Sequence, residues 1–142
     1  MNEQFGKIEE YLPHRGRMLW LTGIQKVNTE EVWLNIDTNC RHMLFVESHG
    51  IPSWAGIEYM AQATAVFGAL RASRYATKAY LISCRRFETN VSYFPEGFGN
   101  LVSVKEIAGG LNHVATFQCM LHAESGAVLA EGRLTVHIPD VA

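Results

Sequence analysis

Between Ile51 and Leu70 the chain carries one formal charge, that of Glu58, in the run Ile51-Pro-Ser-Trp-Ala-Gly-Ile-Glu-Tyr-Met-Ala-Gln-Ala-Thr-Ala-Val-Phe-Gly-Ala-Leu70. An ionised carboxylate removed from water without a partner is strongly disfavoured, so this group must meet a partner, change its proton affinity or face a polar cavity. Those are the settings in which carboxyls exchange protons with substrates. Gln62 follows four residues later, on the same face of a helix, where it could orient the acid or line the site. His49 and His42 are the nearest histidines in sequence, and either could serve as a base if its loop or a second subunit carried it close. The helix start supplies unpaired amides and a positive dipole end, so the N–H groups around Ser53 and Trp54 could polarise a carbonyl oxygen. An acid, a base and a polarised carbonyl together suit general acid–base chemistry.

Each candidate also has a structural role open to it. Glu58 could be a buried carboxyl satisfied across the sheet or an interface, and Trp54 a cavity wall or interface anchor. His113, His122 and His137 fall on strands and match no ligand spacing. Cys40, Cys84 and Cys119 form no C-x-x-C pair and read as reduced core thiols. No metal and no cofactor is expected.

The acid must be carried by a helix that is apolar or small on nearly every side. Pro52 and Ser53 suit its first turn, with Ser53 a plausible N-cap, and its end is expected around Ser73 to Thr77. Glu58, Gln62 and the modest hydropathy of so many small residues argue against a membrane span. Before the helix, Val32, Leu34 and Ile36 alternate against polar neighbours, and Asn28-Thr29-Glu30 marks the turn of a hairpin over Met18–Ile36. After it, strand periodicity returns at Tyr80–Cys84, Leu101–Lys105, His113–His122 and Val128–Ile138, with turns at Pro95–Asn100, Gly109-Gly110 and Glu124–Gly126. A helix buried on most sides requires a sheet curved around it, and Ala55, Gly56, Ala61, Ala63, Ala65, Gly68 and Ala69 permit a close approach.

The chain of 142 residues, 48% hydrophobic, suits one domain over residues 1–142. A formal charge of −2 gives no reason to expect nucleic acid. The first ten residues hold no apolar stretch suited to a signal peptide, so a soluble, cytoplasmic protein is expected, with no membrane partner.

Several segments, in order, resemble the FabZ-type 3-hydroxyacyl carrier-protein dehydratases. They are Leu12-Pro13-His14-Arg15 ahead of Met18-Leu19-Trp20-Leu21, Pro52-Ser53 where the family has Pro-Gly, Glu58-Tyr-Met-Ala-Gln62 like its E-x-[LM]-A-Q run, and Pro95-Glu-Gly97 before Leu101. The loop Glu47-Ser-His-Gly-Ile-Pro-Ser-Trp54 is similar to the shortened loop of the aryl-polyene-type relatives. The resemblance implies an α+β hotdog fold, an antiparallel sheet wrapped around one long central helix. It also implies pairing into a homodimer or a heterodimer with another hotdog subunit, with substrate tunnels at the interface. The implied activity is loss of water from a 3-hydroxyacyl thioester carried by the phosphopantetheine arm of an acyl carrier protein. Glu58 and His49 would be its catalytic pair, with Ser53, Trp54 and Gln62 at the substrate.

The family's G-H-F-P histidine lies fourteen residues before the acid, where this chain has Leu44, so His49 or His42 must stand in for it. His14 matches a family position outside the catalytic pair and is assigned a structural role. Arg71, Arg74, Arg85 and Arg86 are candidates for holding the phosphopantetheine phosphate or an acidic carrier protein. Two other functions stay open: a thioesterase using Glu58 to activate water, and a weakened subunit completing an active dehydratase.

Overall fold

The computed structural model describes residues 7–71, 80–97, 99–109 and 114–137. The hairpin is present as β1 (Leu21–Val27) and β2 (Glu31–Ile36), and Val32, Leu34 and Ile36 are its buried face. Asn28 Oδ1 closes the turn by accepting from the Glu30 and Glu31 amides. Strandlike character does not extend back to Met18, because Gly16–Met18 coil into a single 3-10 turn.

Across the sheet the strands run β1, β2, β6 (Leu101–Ala108), β7 (Val114–His122), β8 (Val128–His137) and β4 (Tyr80–Thr89), every neighbouring pair antiparallel. In the last segment Ala130, Gly132, Leu134 and Val136 are buried while Arg133 is exposed, but at its start the alternation fails, with Leu129 buried and Val128 half-buried. A second sheet, of β3 (Ile51–Pro52) and β5 (Tyr93–Phe94), lacks the length that would give it a periodic signature. His113, Ile138, Arg74 and the expected helix end lie outside the described residues.

The helix α1 spans Gly56–Arg71, preceded by a 3-10 turn over Ser53–Ala55. The cap of that 3-10 turn is Pro52, with no side-chain cap bond, and Ser53 is the turn's first residue, not its N-cap. The Ser53 hydroxyl instead faces the Thr89 hydroxyl at 3.5 Å. Tyr59, Met60, Ala63, Val66 and Phe67 are fully buried against residues from β1, β2, β6, β7 and β8. That all-round burial is the hotdog arrangement, and it explains the small residues: a Cβ on Gly56 would stand 3.1 Å from both the Leu121 and Phe87 side chains. Among the described residues no helix is long and apolar enough to cross a membrane.

Candidate active site

A buried side-chain amide organises the site. Gln62, only 1% exposed, accepts the Trp20 N–H on Oε1 at 3.0 Å and donates from Nε2 to the Met18 carbonyl at 2.9 Å and to Glu58 Oε2 at 2.8 Å. Those partners fix which end of the amide is the donor, so Glu58 is presented with an N–H. Met18 and Trp20 are two residues apart just ahead of β1, and the amide pairs with them as an adjoining strand would. Both N–H groups of Gln62 are taken and it has almost no exposed surface, so it holds the Glu58 carboxyl in place.

Glu58 sits one turn earlier on α1, its side chain 39% exposed. The ring that meets it belongs to His14: Nε2 lies 3.5 Å from Glu58 Oε2, and the His14 side chain is 30% exposed. The structural role assigned to His14 from sequence thus gives way to a place beside the acid. Its Nδ1 is enclosed, with no hydrogen-bond partner among the described residues. The backbone that carries it is firmly held. Ile8 and Leu12 are buried, and the Arg15 guanidinium donates to the carbonyls of Glu9 at 3.0 Å, Leu12 at 2.5 Å and His14 at 2.7 Å.

His49 occupies another region. Val46 and Gly50 close a tight turn, with Ser48 at φ 68° and Gly50 at φ 118°. A Cβ on Gly50 would lie 2.2 Å from the Phe94 carbonyl oxygen, so only glycine fits there. The His49 ring is exposed, 4.9 Å from the Tyr93 ring, with Nδ1 3.0 Å from the Glu47 carbonyl. Within one subunit the structure does not bring His49 to Glu58.

His42 is 6% exposed under Trp20, ring centroids 4.3 Å apart, and its Nδ1 accepts the Leu44 N–H. Burial holds its pKa below the ordinary histidine value, against an opposing pull from Asp37. A neutral His42 packs the floor beneath Trp20 and Tyr59, and its Nε2 has no hydrogen-bond partner among the described residues.

Of the helix-start amides, that of Ser53 is bonded to the Ser92 carbonyl at 3.0 Å. Trp54 is 63% exposed, with the exposed Met43 and Val46 on the preceding loop. Arg85 and Arg86 lie on β4, Arg86 in the left-handed region at φ 54°, beside an irregularity in the pairing with β8. The Arg71 side chain is outside the described residues. Among the described residues no three His, Cys, Asp or Glu gather as a metal would require.

The contact that sequence reading missed joins positions 14 and 58. It depends on a tertiary approach that no local period encodes. The available signal was indirect: Pro13 restricts the backbone beside a histidine just ahead of the first strand.

Helix and sheet order together define a hotdog protein. The chain belongs to the ApeP-like family of dehydratases, which it matches over residues 6–142. It is similar to the dehydratase heterocomplex ApeI:P from Xenorhabdus doucetiae, at 22% identity and TM-score 0.79, covering 95% of this chain and 92% of that one. A thioesterase from Staphylococcus aureus shares the fold at 12% identity and TM-score 0.65, over 83% of this chain and 93% of its own. The PaaI protein from the phenylacetic acid degradation operon of Escherichia coli does so at 9% identity and TM-score 0.63, over 80% of each chain. Among curated proteins none matches.

Proposed function

We propose that this protein removes water from 3-hydroxyacyl thioesters carried on an acyl carrier protein, working as one subunit of a hotdog pair. The observation that carries this reading is the Glu58 carboxyl, held by Gln62 at 2.8 Å and bordered by a histidine at 3.5 Å. Elimination needs a base for the weakly acidic C2 proton, a donor to the thioester oxygen as enolate character builds, and an acid for the departing hydroxyl. Glu58 supplies the acid. Trp54, the next residue after the occupied Ser53 amide, supplies the N–H at the helix start that would meet the thioester oxygen. Dehydratase membership favours this over hydrolysis of the thioester.

The pairing rests on β4. It is an edge strand, and Tyr80, Leu81 and Ile82 expose apolar side chains on both of its faces. Such an edge invites a second strand, and a heterocomplex is the state of the Xenorhabdus relative. A second hotdog subunit on β4 would continue the sheet and bring Arg85 and Arg86 to the rim of the joint, where the phosphate of the carrier arm could be held.

The test is to incubate the purified protein, alone and with a second hotdog subunit, with a 3-hydroxyacyl thioester and with a plain acyl thioester. Enoyl product that disappears in Glu58→Gln is the expected result, the loss being about 10²-fold or more. Release of free thiol without enoyl product would overturn dehydration in favour of hydrolysis. Enoyl product only in the presence of the second subunit would locate part of the machinery in that partner.

A further inference from the structure

We infer that His14 is the base of this site, taking the C2 proton while Glu58 protonates the departing hydroxyl. The inference deepens the dehydration reading and rests on it. Three observations carry it. Among the described residues, His14 is the histidine whose ring nitrogen reaches Glu58, at 3.5 Å, whereas His49 lies against Tyr93 and His42 is sealed beneath Trp20. Nδ1 of His14 is enclosed, so Nε2, on the side of the carboxyl, is the nitrogen available for chemistry. The segment that carries the ring is tied to three carbonyls by Arg15 and anchored by Leu12, and Gln62 joins the same stretch, at Met18 and Trp20, to the acid it orients. A histidine kept only for packing would have no need of such a link between its own segment and a carboxyl on another element.

The step balances. Nε2 of neutral His14 takes the C2 proton, the C2–H pair becomes the second bond between C2 and C3, and the C3–O bond breaks with its pair going to oxygen. Glu58, entering as the acid, gives that oxygen a proton, and water departs. Oε2 is the oxygen engaged by Gln62 and facing His14, which leaves Oε1 to meet the hydroxyl. Elimination converts a neutral pair into imidazolium and carboxylate side by side, and their attraction offsets part of the cost of separating charge. The proton then returns from His14 to Glu58 across the same contact, restoring the starting state. At 3.5 Å the contact is longer than a hydrogen bond, and catalytic contacts of this kind tighten when substrate is bound. Among the described residues Glu58 is the titratable group facing the ring; Arg15, next in the chain, turns its guanidinium to carbonyls instead.

The full chain, with its partner subunit where turnover requires one, is placed in D2O with an acyl thioester that lacks the 3-hydroxyl, and exchange of the C2 hydrogens is followed by mass. Enoyl formation from the 3-hydroxyacyl thioester is followed in parallel. His14→Ala is expected to lower both rates by about 10²-fold or more while keeping the wild-type fold by circular dichroism, and added imidazole restores part of the C2 exchange. Glu58→Gln keeps C2 exchange but loses water elimination. His14→Asn covers the case in which the alanine variant folds poorly. Undiminished exchange and enoyl formation in a folded His14 variant, or their loss in His49→Ala instead, overturn the assignment and leave dehydration standing. Thiol release by the wild type without enoyl product or C2 exchange overturns the dehydration reading itself.

Discussion

Two histidines border the curved sheet, His14 on the side of α1 and His122 on the outer face, and their surroundings differ in kind. His122 is buried, with Nε2 2.9 Å from the Ser103 hydroxyl, a backbone contact to Gly126, and the Trp33 ring stacked at 4.7 Å. Its polar partners are neutral and its ring is covered. His14 is partly open, has one nitrogen without a partner among the described residues, and turns the other toward a carboxyl that is itself partly open. A serine beside a histidine suggests a nucleophile on paper, yet here both residues are buried and the Trp33 indole lies over the imidazole. Openness and a carboxyl partner, more than the mere presence of a histidine in a polar contact, separate a reactive site from a satisfied one.

Gln62→Ala should break the His14 side most widely. The substitution strands the buried Trp20 N–H and the part-buried Met18 carbonyl and frees the Glu58 carboxyl, costing about 2–3 kcal/mol of stability at roughly 1–3 kcal/mol for a fully buried orphaned group and less for the other. Thermal unfolding should show the loss. In the fraction that remains folded, kcat for enoyl formation should fall with little change in KM, because Gln62 touches the acid and not the substrate. Wild-type kcat in this variant would disconnect the amide from the chemistry.

The sequence made the amide and the acid legible together because a four-residue spacing on one helix puts them on one face. The strands were legible for a similar reason: Val32, Leu34 and Ile36 or Gly132, Leu134 and Val136 repeat with a period that burial imposes on one face. What could not be read was any contact made by irregular backbone. Leu12 to Met18 and Asp37 to Gly50 have no periodicity, so the arrival of His14 at Glu58 and the separation of His49 from it follow only from how those loops pack. Ser53 shows the same limit on a smaller scale. A serine at a helix start suggests a cap, but its amide is drawn to Ser92 and its hydroxyl to Thr89 by the small second sheet, whose two-residue strands leave no pattern.

Ser103→Ala sharpens the comparison from the other side. It removes the hydroxyl beside His122 Nε2 and leaves that nitrogen buried beneath Trp33, at a cost of about 1–2 kcal/mol and a fall of a few degrees in Tm. The rate of enoyl formation by the folded protein should stay within about twofold of wild type. A loss as deep as that of a His14 variant would mean that the outer-face pair takes part in the reaction.

The smallest expected effect concerns pH, and it too divides the histidines by their surroundings. Burial lowers the pKa of both His42 and His122 from the ordinary value of 6.5, with Asp37 and the Gly126 backbone pulling weakly the other way. The unfolded chain therefore binds more protons than the folded one at these positions, so stability rises with pH through this range. Their contribution is complete above about pH 6.5 and is lost progressively as pH falls toward the depressed folded values. Tm measured between pH 7.5 and 5.5, above the range where ordinary carboxyls titrate at about 4, should fall on the acid side. Replacing His42 and His122 together with residues that do not titrate should flatten that slope, even if it lowers Tm throughout. An unchanged slope in the double variant would mean that neither ring is held neutral by burial, and the distinction drawn between a sealed histidine and His14 would lose its electrostatic basis.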